Sequence, residues 1–341
     1  MVDKRLMFRI IPAISHARKA AKAAGGTRSP TLCRRILGGD CRRKGASHAI
    51  LHLLARYLLI IFMIQPAIAP AAAERRFTAS DGVELHFLEA GEDHNDALIF
   101  IPGWLMPAVI FRDQIAPLAT RYRVLVLDPR SQGNSPVTGQ SHDAERRARD
   151  IAEFIAHTRP KRFILAGWSL GVMEGLDYVH RFRPRQLAGL VLIDNSIGEG
   201  PAPAPASGPS ERELALLDPA RRETYLRHFA ESLFAQDVPD DLLDAVTASA
   251  LKLTGEVALE LLNKPYAREY YREALYGAEV PVLYTILPRL QVQGDALQLR
   301  RSDASVEIFT EAGHALFVDE PARFNSLLYE FAERSFEPKP R

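Results

Sequence analysis

The stretch "FILAGWSLGVMEG", Phe163 to Gly175, decides the fold. It opens on consecutive apolar positions, as a strand covered on both faces does, and then sets one hydroxyl, Ser169, between Gly167 and Gly171. A serine raised on a sharp strand-to-helix turn requires strained backbone angles. A side chain two positions away on either side would then collide with the adjoining strand or helix, which the paired glycines avoid. Such a turn also sets the amide of Leu170 at the head of a helix, where unpaired N–H groups and the helix dipole favour a developing negative charge.

Outward from this turn, short apolar runs alternate with longer amphipathic ones. "RRFTASDGVELHFLEAG" (75–91) reads as a hairpin turning at Asp81-Gly82. "ALIFIPG", "YRVLVLDPR", "RFILAGWS", "LAGLVLIDNS", "VPVLYTIL" and "SVEIFTEAG" read as six further strands, several apolar on consecutive positions. "HDAERRARDIAEFIAHTRP", "LGVMEGLDYVHRFRP" and "PARFNSLLYEFAERS" have helical spacing. The pattern predicts an α/β chain with an eight-stranded, mostly parallel sheet and helices on both faces. After Ser196 a Pro/Ala/Gly linker, "IGEGPAPAPASGPS", leads into purely helical patterns from Glu211 to about Gly277. This insertion after the sixth strand reads as a lid over the strand ends, and Tyr266, Tyr270 and Tyr271 could either face a pocket or pack the lid onto the core. The chain thus divides into a basic leader (1–73), a first core part (74–197), linker and lid (198–278) and a second core part (279–341).

A serine hydroxyl is a poor nucleophile at neutral pH and needs a base. Of the seven histidines after the leader, His314 stands apart, because it follows the last strand on a loop led by Gly313 in "SVEIFTEAGHALFVDEP". His157 and His180 fall in helical patterns and His94 in a turn, where a solvated histidine is the commoner outcome.

These residues resemble the α/β-hydrolase superfamily, in the serine-nucleophile branch of esterases and cofactor-free haloperoxidases, over Arg76 to Glu333. "GWSLG" is similar to its nucleophile elbow, "GHALFVDEP" to its histidine loop, and "DPRSQGNS" to a D-x-R-x-x-G-x-S loop that marks the fold rather than the chemistry. The resemblance implies a Ser169–His314–acid triad and an oxyanion hole made by the amides of Trp104 and Leu170, with Pro102 standing where a His-Gly-x loop often has histidine. The side chains of Trp104 and Trp168 are expected as substrate contacts, with packing under the lid as the alternative for the Trp104 indole. The usual acid after the seventh strand is missing, since no Asp or Glu lies between Val280 and Gly294. Asp194, at the end of the sixth strand in "GLVLIDNS", is the expected acid; Asp295, Asp303 or no acid at all are the alternatives. The implied activity is acyl transfer on small or medium apolar carboxylic esters, without metal or organic cofactor. Perhydrolysis, lactone, amide or C–C bond cleavage on the same triad, and a ligand receptor with incidental hydrolysis, remain as other outcomes.

Charge is unevenly distributed. Residues 1–73 hold thirteen Lys and Arg against two acids, which leaves the body with 43 − 13 = 30 basic and 42 − 2 = 40 acidic residues, a net −10. An acidic body gives no electrostatic reason for a nucleic-acid or anionic-membrane partner, and the expected partner is a small ester-like molecule. The leader runs from a cationic region into "LLARYLLIIFMIQPAIAPAAAERR", the order of a secretory signal with cleavage near Ala73. Export to a periplasm or the medium is the expectation, with a membrane anchor over 49–69 or a start codon set too early as alternatives. Both cysteines, Cys33 and Cys41, fall in the leader, so a mature body would have no thiol chemistry and no disulfide.

Overall fold

The computed structural model describes residues 72–139, 141–200, 208–263 and 265–337. The leader, apart from its last two residues, and the Pro/Ala run 201–207 lie outside the described residues. Among the described residues no helix is long and apolar enough to cross a membrane.

Eight strands form one sheet: β1 (Ala73–Thr78), β2 (Glu84–Ala90), β3 (Asp96–Ile101), β4 (Arg123–Leu127), β5 (Arg162–Trp168), β6 (Leu187–Ile193), β7 (Val282–Ile286) and β8 (Ala304–Ile308). Their order is β1-β2-β4-β3-β5-β6-β7-β8. The β1–β2 and β2–β4 pairs are antiparallel and every later pair is parallel. Leu98 through Ile101, Phe163 through Trp168 and Val282 through Ile286 are buried at every position, so the consecutive apolar runs belong to strands covered on both faces.

Helices α1 (Arg112–Leu118), α2 (Ala144–Thr158) and α3 (Leu170–Phe182) follow the early strands. The α2 helix begins where the Asp143 carboxylate accepts from the Arg146 amide and ends at Arg159 in the left-handed region. Between β6 and β7 lie α4 (Glu211–Leu217), α5 (Pro219–Glu231), α6 (Asp240–Leu251), α7 (Gly255–Leu261) and α8 (Arg268–Gly277). A capping box of Ser210 and Glu213 opens α4, and the Asp218 and Thr254 side chains cap α5 and α7. After β7 come α9 (Gln291–Arg300), then β8, the short α10 (Leu316–Asp319) and α11 (Pro321–Phe336).

The hairpin differs from its local signal. Asp81-Gly82 does not form a two-residue turn; the connection spans 79–83, closed by the Ala79 amide on the Val83 carbonyl at 2.8 Å. Asp81 accepts from the Val83 amide at 3.3 Å through one oxygen and from the buried Arg130 at 2.9 Å through the other, so a tertiary ion pair helps set the loop. Arg130 also takes both oxygens of Asp150, while Asp128 accepts from His86 at 2.7 Å and the Asn134 amide at 2.8 Å. The D-x-R-x-x-G-x-S loop is therefore a buried brace.

Candidate active site

Strand β5 hands directly into α3, and Ser169 at the junction has φ 52° and ψ −118°. A Cβ on Gly167 would lie 2.3 Å from the Gly171 carbonyl, and one on Gly171 would lie 2.2 Å from the Ile101 carbonyl. The strained turn is held from outside: the Ser169 amide donates to the Ile193 carbonyl at 2.9 Å, and Asn195 Nδ2 donates to the Ser169 carbonyl at 2.6 Å.

Asp194 follows β6 in the left-handed region, φ 46°, which a short polar side chain tolerates. Its side chain is fully buried, and its Oδ2 lies 2.6 Å from His314 Nδ1. The Leu287 amide donates to Oδ1 at 3.0 Å. Arg289, on the turn after β7, donates to the same Oδ2 that faces the imidazole. Asp295 is exposed in the middle of α9, and neither it nor Asp303 reaches the imidazole; Asp303 pairs with Arg301. Tyr284 braces the loop by donating to the Asn195 carbonyl at 2.7 Å, and burial raises its phenol far above the ordinary value, which keeps the donor proton in place.

The histidine loop is fixed from three sides. Trp168 Nε1 donates to the His314 carbonyl at 2.9 Å, and its ring lies 5.1 Å from the imidazole. Asp319 accepts from the Gly313 amide at 2.7 Å and from the Ala235 amide at 2.9 Å, and the Ala315 amide donates to Leu233 in the insertion.

Facing this pair is the loop after β3. Leu105 sits at φ 65°, and the buried Gln132 clamps the loop, accepting from the Leu105 amide at 2.7 Å and donating to the Gly103 carbonyl at 3.1 Å. Among the described residues no acceptor meets the amide of Trp104 or that of Leu170, although both residues are buried. Buried backbone donors without partners are rare, and a pair of them beside a hydroxyl is an arrangement suited to an oxyanion. Ser169, His314, Asp194, Trp104, Leu170 and Trp168 all line one cavity of about 290 Å³, with Met106, Phe229, Leu233 and Leu262 among its apolar walls. No hydrogen bond joins the Ser169 hydroxyl to His314 among the described residues; such contacts often tighten only in the substrate complex. Tyr266, Tyr270 and Tyr271 do not line the cavity: Tyr266 stacks on Tyr270, Tyr271 meets both edge-on, and the Tyr270 hydroxyl donates to Asp177. Among the described residues no group of three or more His, Cys, Asp or Glu is placed to hold a metal ion.

Residues 96–286 match the family model described as alpha/beta hydrolase fold. The chain belongs to that family. This α/β hydrolase is 26% identical over 255 residues to a pimeloyl-[acyl-carrier protein] methyl ester esterase of Aeromonas hydrophila, covering 69% of this chain and 94% of that protein. It is 33% identical over 117 residues to a non-heme haloperoxidase of Rhodococcus erythropolis, a match that spans 34% of this chain and only 42% of that relative. Among solved structures, a protein provisionally described as an aryl esterase from Burkholderia cenocepacia superposes with a TM-score of 0.68 at 25% identity, over 78% of this chain and all of that one. Family and relatives together support hydrolase chemistry of an esterase type.

Three residues of the α/β hydrolase's site were not singled out from sequence. Asn195 had a signal, since it adjoins Asp194 at a strand end, and Gln132 lay within the brace loop. Arg289 had none beyond the missing acid after β7.

Proposed function

We propose that this α/β hydrolase is a serine hydrolase of carboxylic esters, with Ser169 as nucleophile, His314 as base and Asp194 as the acid that orients the base. The observation that carries the reading is the 2.6 Å contact of Asp194 Oδ2 with His314 Nδ1, in a cavity that also holds Ser169 and two unpartnered amides. With Nδ1 turned to the carboxylate, Nε2 is the nitrogen left to take the Ser169 proton. The serine oxygen then attacks the carbonyl carbon, and the amides of Trp104 and Leu170 receive the oxyanion. Collapse expels the alcohol, which takes its proton from the imidazolium. Water, deprotonated by His314, then cleaves the acyl-enzyme and releases the carboxylic acid.

The helices between β6 and β7 act in this reading as a lid, because Arg212, Phe229, Leu233 and Leu262 line the cavity. The cationic and then apolar leader supports export, with cleavage near Ala73. That cut would remove only the first residue of β1. N-terminal sequencing of protein recovered outside the cytoplasm tests it, and a retained leader there overturns it.

The main test is covalent. A fluorophosphonate should add to Ser169 and abolish turnover of short p-nitrophenyl esters, and Ser169→Ala should lose both adduct and turnover. Absence of an adduct on the folded protein refutes the reading. An adduct without turnover on a broad ester, amide and lactone panel would favour a receptor instead.

A further inference from the structure

Two guanidinium groups share the cavity wall with Ser169: Arg289 beside the proposed acid and Arg212 from α4 of the insertion. Among the described residues Asp194 is the single carboxylate lining the same wall, and it is already engaged by both His314 and Arg289. Arg212 is different. Among the described residues no carboxylate stands within ion-pair distance of it; its Nε donates to the Tyr225 hydroxyl at 3.3 Å.

The acids nearest in sequence are taken. Glu211 pairs with Arg221, and Glu213 accepts from the amide and hydroxyl of Ser210 in the capping box. The guanidinium of Arg212 lies 5.2 Å over the Trp104 ring, and the Trp104 indole is tied to the insertion through the Ala258 carbonyl at 2.7 Å. A solvent-accessible cation, with Glu213 acting on it only from beyond ion-pair distance, is thereby held over the residue whose amide is the proposed oxyanion donor. A guanidinium in that position offers paired N–H donors that fit a carboxylate.

We infer that the preferred ester carries a second, anionic group on its acyl part, a carboxylate bound by Arg212. The walls formed by Met106, Phe229, Leu233 and Leu262 take the methylene chain between that carboxylate and the reacting carbonyl. This inference rests on the serine-hydrolase reading and narrows its substrate from a neutral apolar ester to a half-ester of a dicarboxylic acid. A cationic acyl group is repelled by the same charges.

The test compares three p-nitrophenyl esters of matched chain length on the whole protein: the neutral hexanoate, the mono-ester of adipic acid, and the hexanoate bearing a terminal trimethylammonium. At low ionic strength kcat/KM should favour the carboxylate ester over the neutral one by about ten-fold or more, the scale of a hydrogen bond to a charged group, and the cationic ester should be slowest. Added salt should shrink the preference. Arg212→Gln should bring the carboxylate-to-neutral ratio close to one, mainly through KM, while Arg212→Lys should keep part of it. A neutral ester turned over as fast as its carboxylate partner overturns the inference and leaves the hydrolase reading standing. A ratio that Arg212→Gln leaves unchanged overturns it also. Failure of all three esters together with no fluorophosphonate adduct would remove both.

Discussion

Oδ2 of Asp194 lies 2.6 Å from Nδ1 of His314, although the two are 120 residues apart and sit on the ends of different strand connections. The carboxylate is fully buried while the imidazole is partly open to the cavity. A buried carboxylate of this kind fixes the tautomer and stabilises the imidazolium that forms during acyl transfer. Asp194→Asn should therefore lower kcat on a p-nitrophenyl ester on the order of 10³-fold or more, while Asp295→Asn, on the exposed middle of α9, should keep the wild-type rate. Equal rates in the two variants would remove Asp194 from the mechanism.

Gln132 touches neither Ser169 nor His314, yet its amide holds Gly103, Leu105 and Met106 at once. In the proposed mechanism it is a positioning residue for the Trp104 amide. Complete loss of one oxyanion donor costs about 10²–10³ in kcat, so a donor left in place on a loosened loop should cost less. We expect Gln132→Ala to lower kcat about ten-fold with little change in KM, since the ground-state carbonyl depends less on that amide than the oxyanion does. A rise in KM at constant kcat would show that Gln132 shapes the pocket and leaves the oxyanion hole untouched.

The elbow was legible because five consecutive residues carry its signature: the Gly167 approach to Gly171 is local, while the one at Gly171, to Ile101 and Pro102 on the neighbouring strand, leaves its mark in the same glycine. His314 was legible from its place after the last strand, and the mostly parallel character of the sheet from the alternation of strands and helices, whereas the β4-β3 exchange in strand order had no local signal. The Asp81-Gly82 turn was misread because Asp81 serves Arg130, a partner 49 residues away that no local pattern reveals. Arg289 escaped for the same reason. The short turn Pro288–Leu290 folds it back onto the end of β6, 95 residues earlier, where it meets Asp194. Arg212 reads as an ordinary charge on a capped helix until the cavity shows what it faces.

Glycine at the elbow makes a separate prediction about stability. A methyl on Gly171 would press within 2.2 Å of the Ile101 carbonyl and 2.8 Å of the Pro102 carbonyl, both backbone atoms that cannot rotate away. Overpacking of this kind costs about 1–3 kcal/mol, which for a domain of this size corresponds to a melting temperature lower by about 2–12 °C. Gly171→Ala should show that loss together with a fall in esterase activity, because the displaced segment leads into Trp104, the proposed oxyanion donor. Gly139→Ala, where an added methyl meets open space, should melt as the wild type does. Indistinguishable melting of the two variants would mean that the elbow is looser than described.

His142 gives the fold a pH dependence of its own. Its ring is buried, with Nε2 2.8 Å from the Ser131 hydroxyl and Nδ1 3.3 Å from Glu260 on α7, so it joins the brace loop to the insertion. Burial is the main cause that lowers its pKa below the ordinary 6.5, Glu260 opposes this, and Arg130 and Arg147 reinforce it. In the interval below 6.5 the unfolded chain binds a proton that the folded chain refuses, so stability rises with pH there. The contribution is present in full above about 6.5 and is lost as pH falls toward the lower folded value. Melting temperatures taken from pH 8 down to 5 should therefore drop more steeply in the wild type than in His142→Gln, which has no proton to gain and keeps a side chain able to bond Ser131. The comparison of slopes cancels the carboxylates that titrate in both proteins. Parallel slopes would mean that His142 is protonated without cost in the fold, with Glu260 outweighing burial.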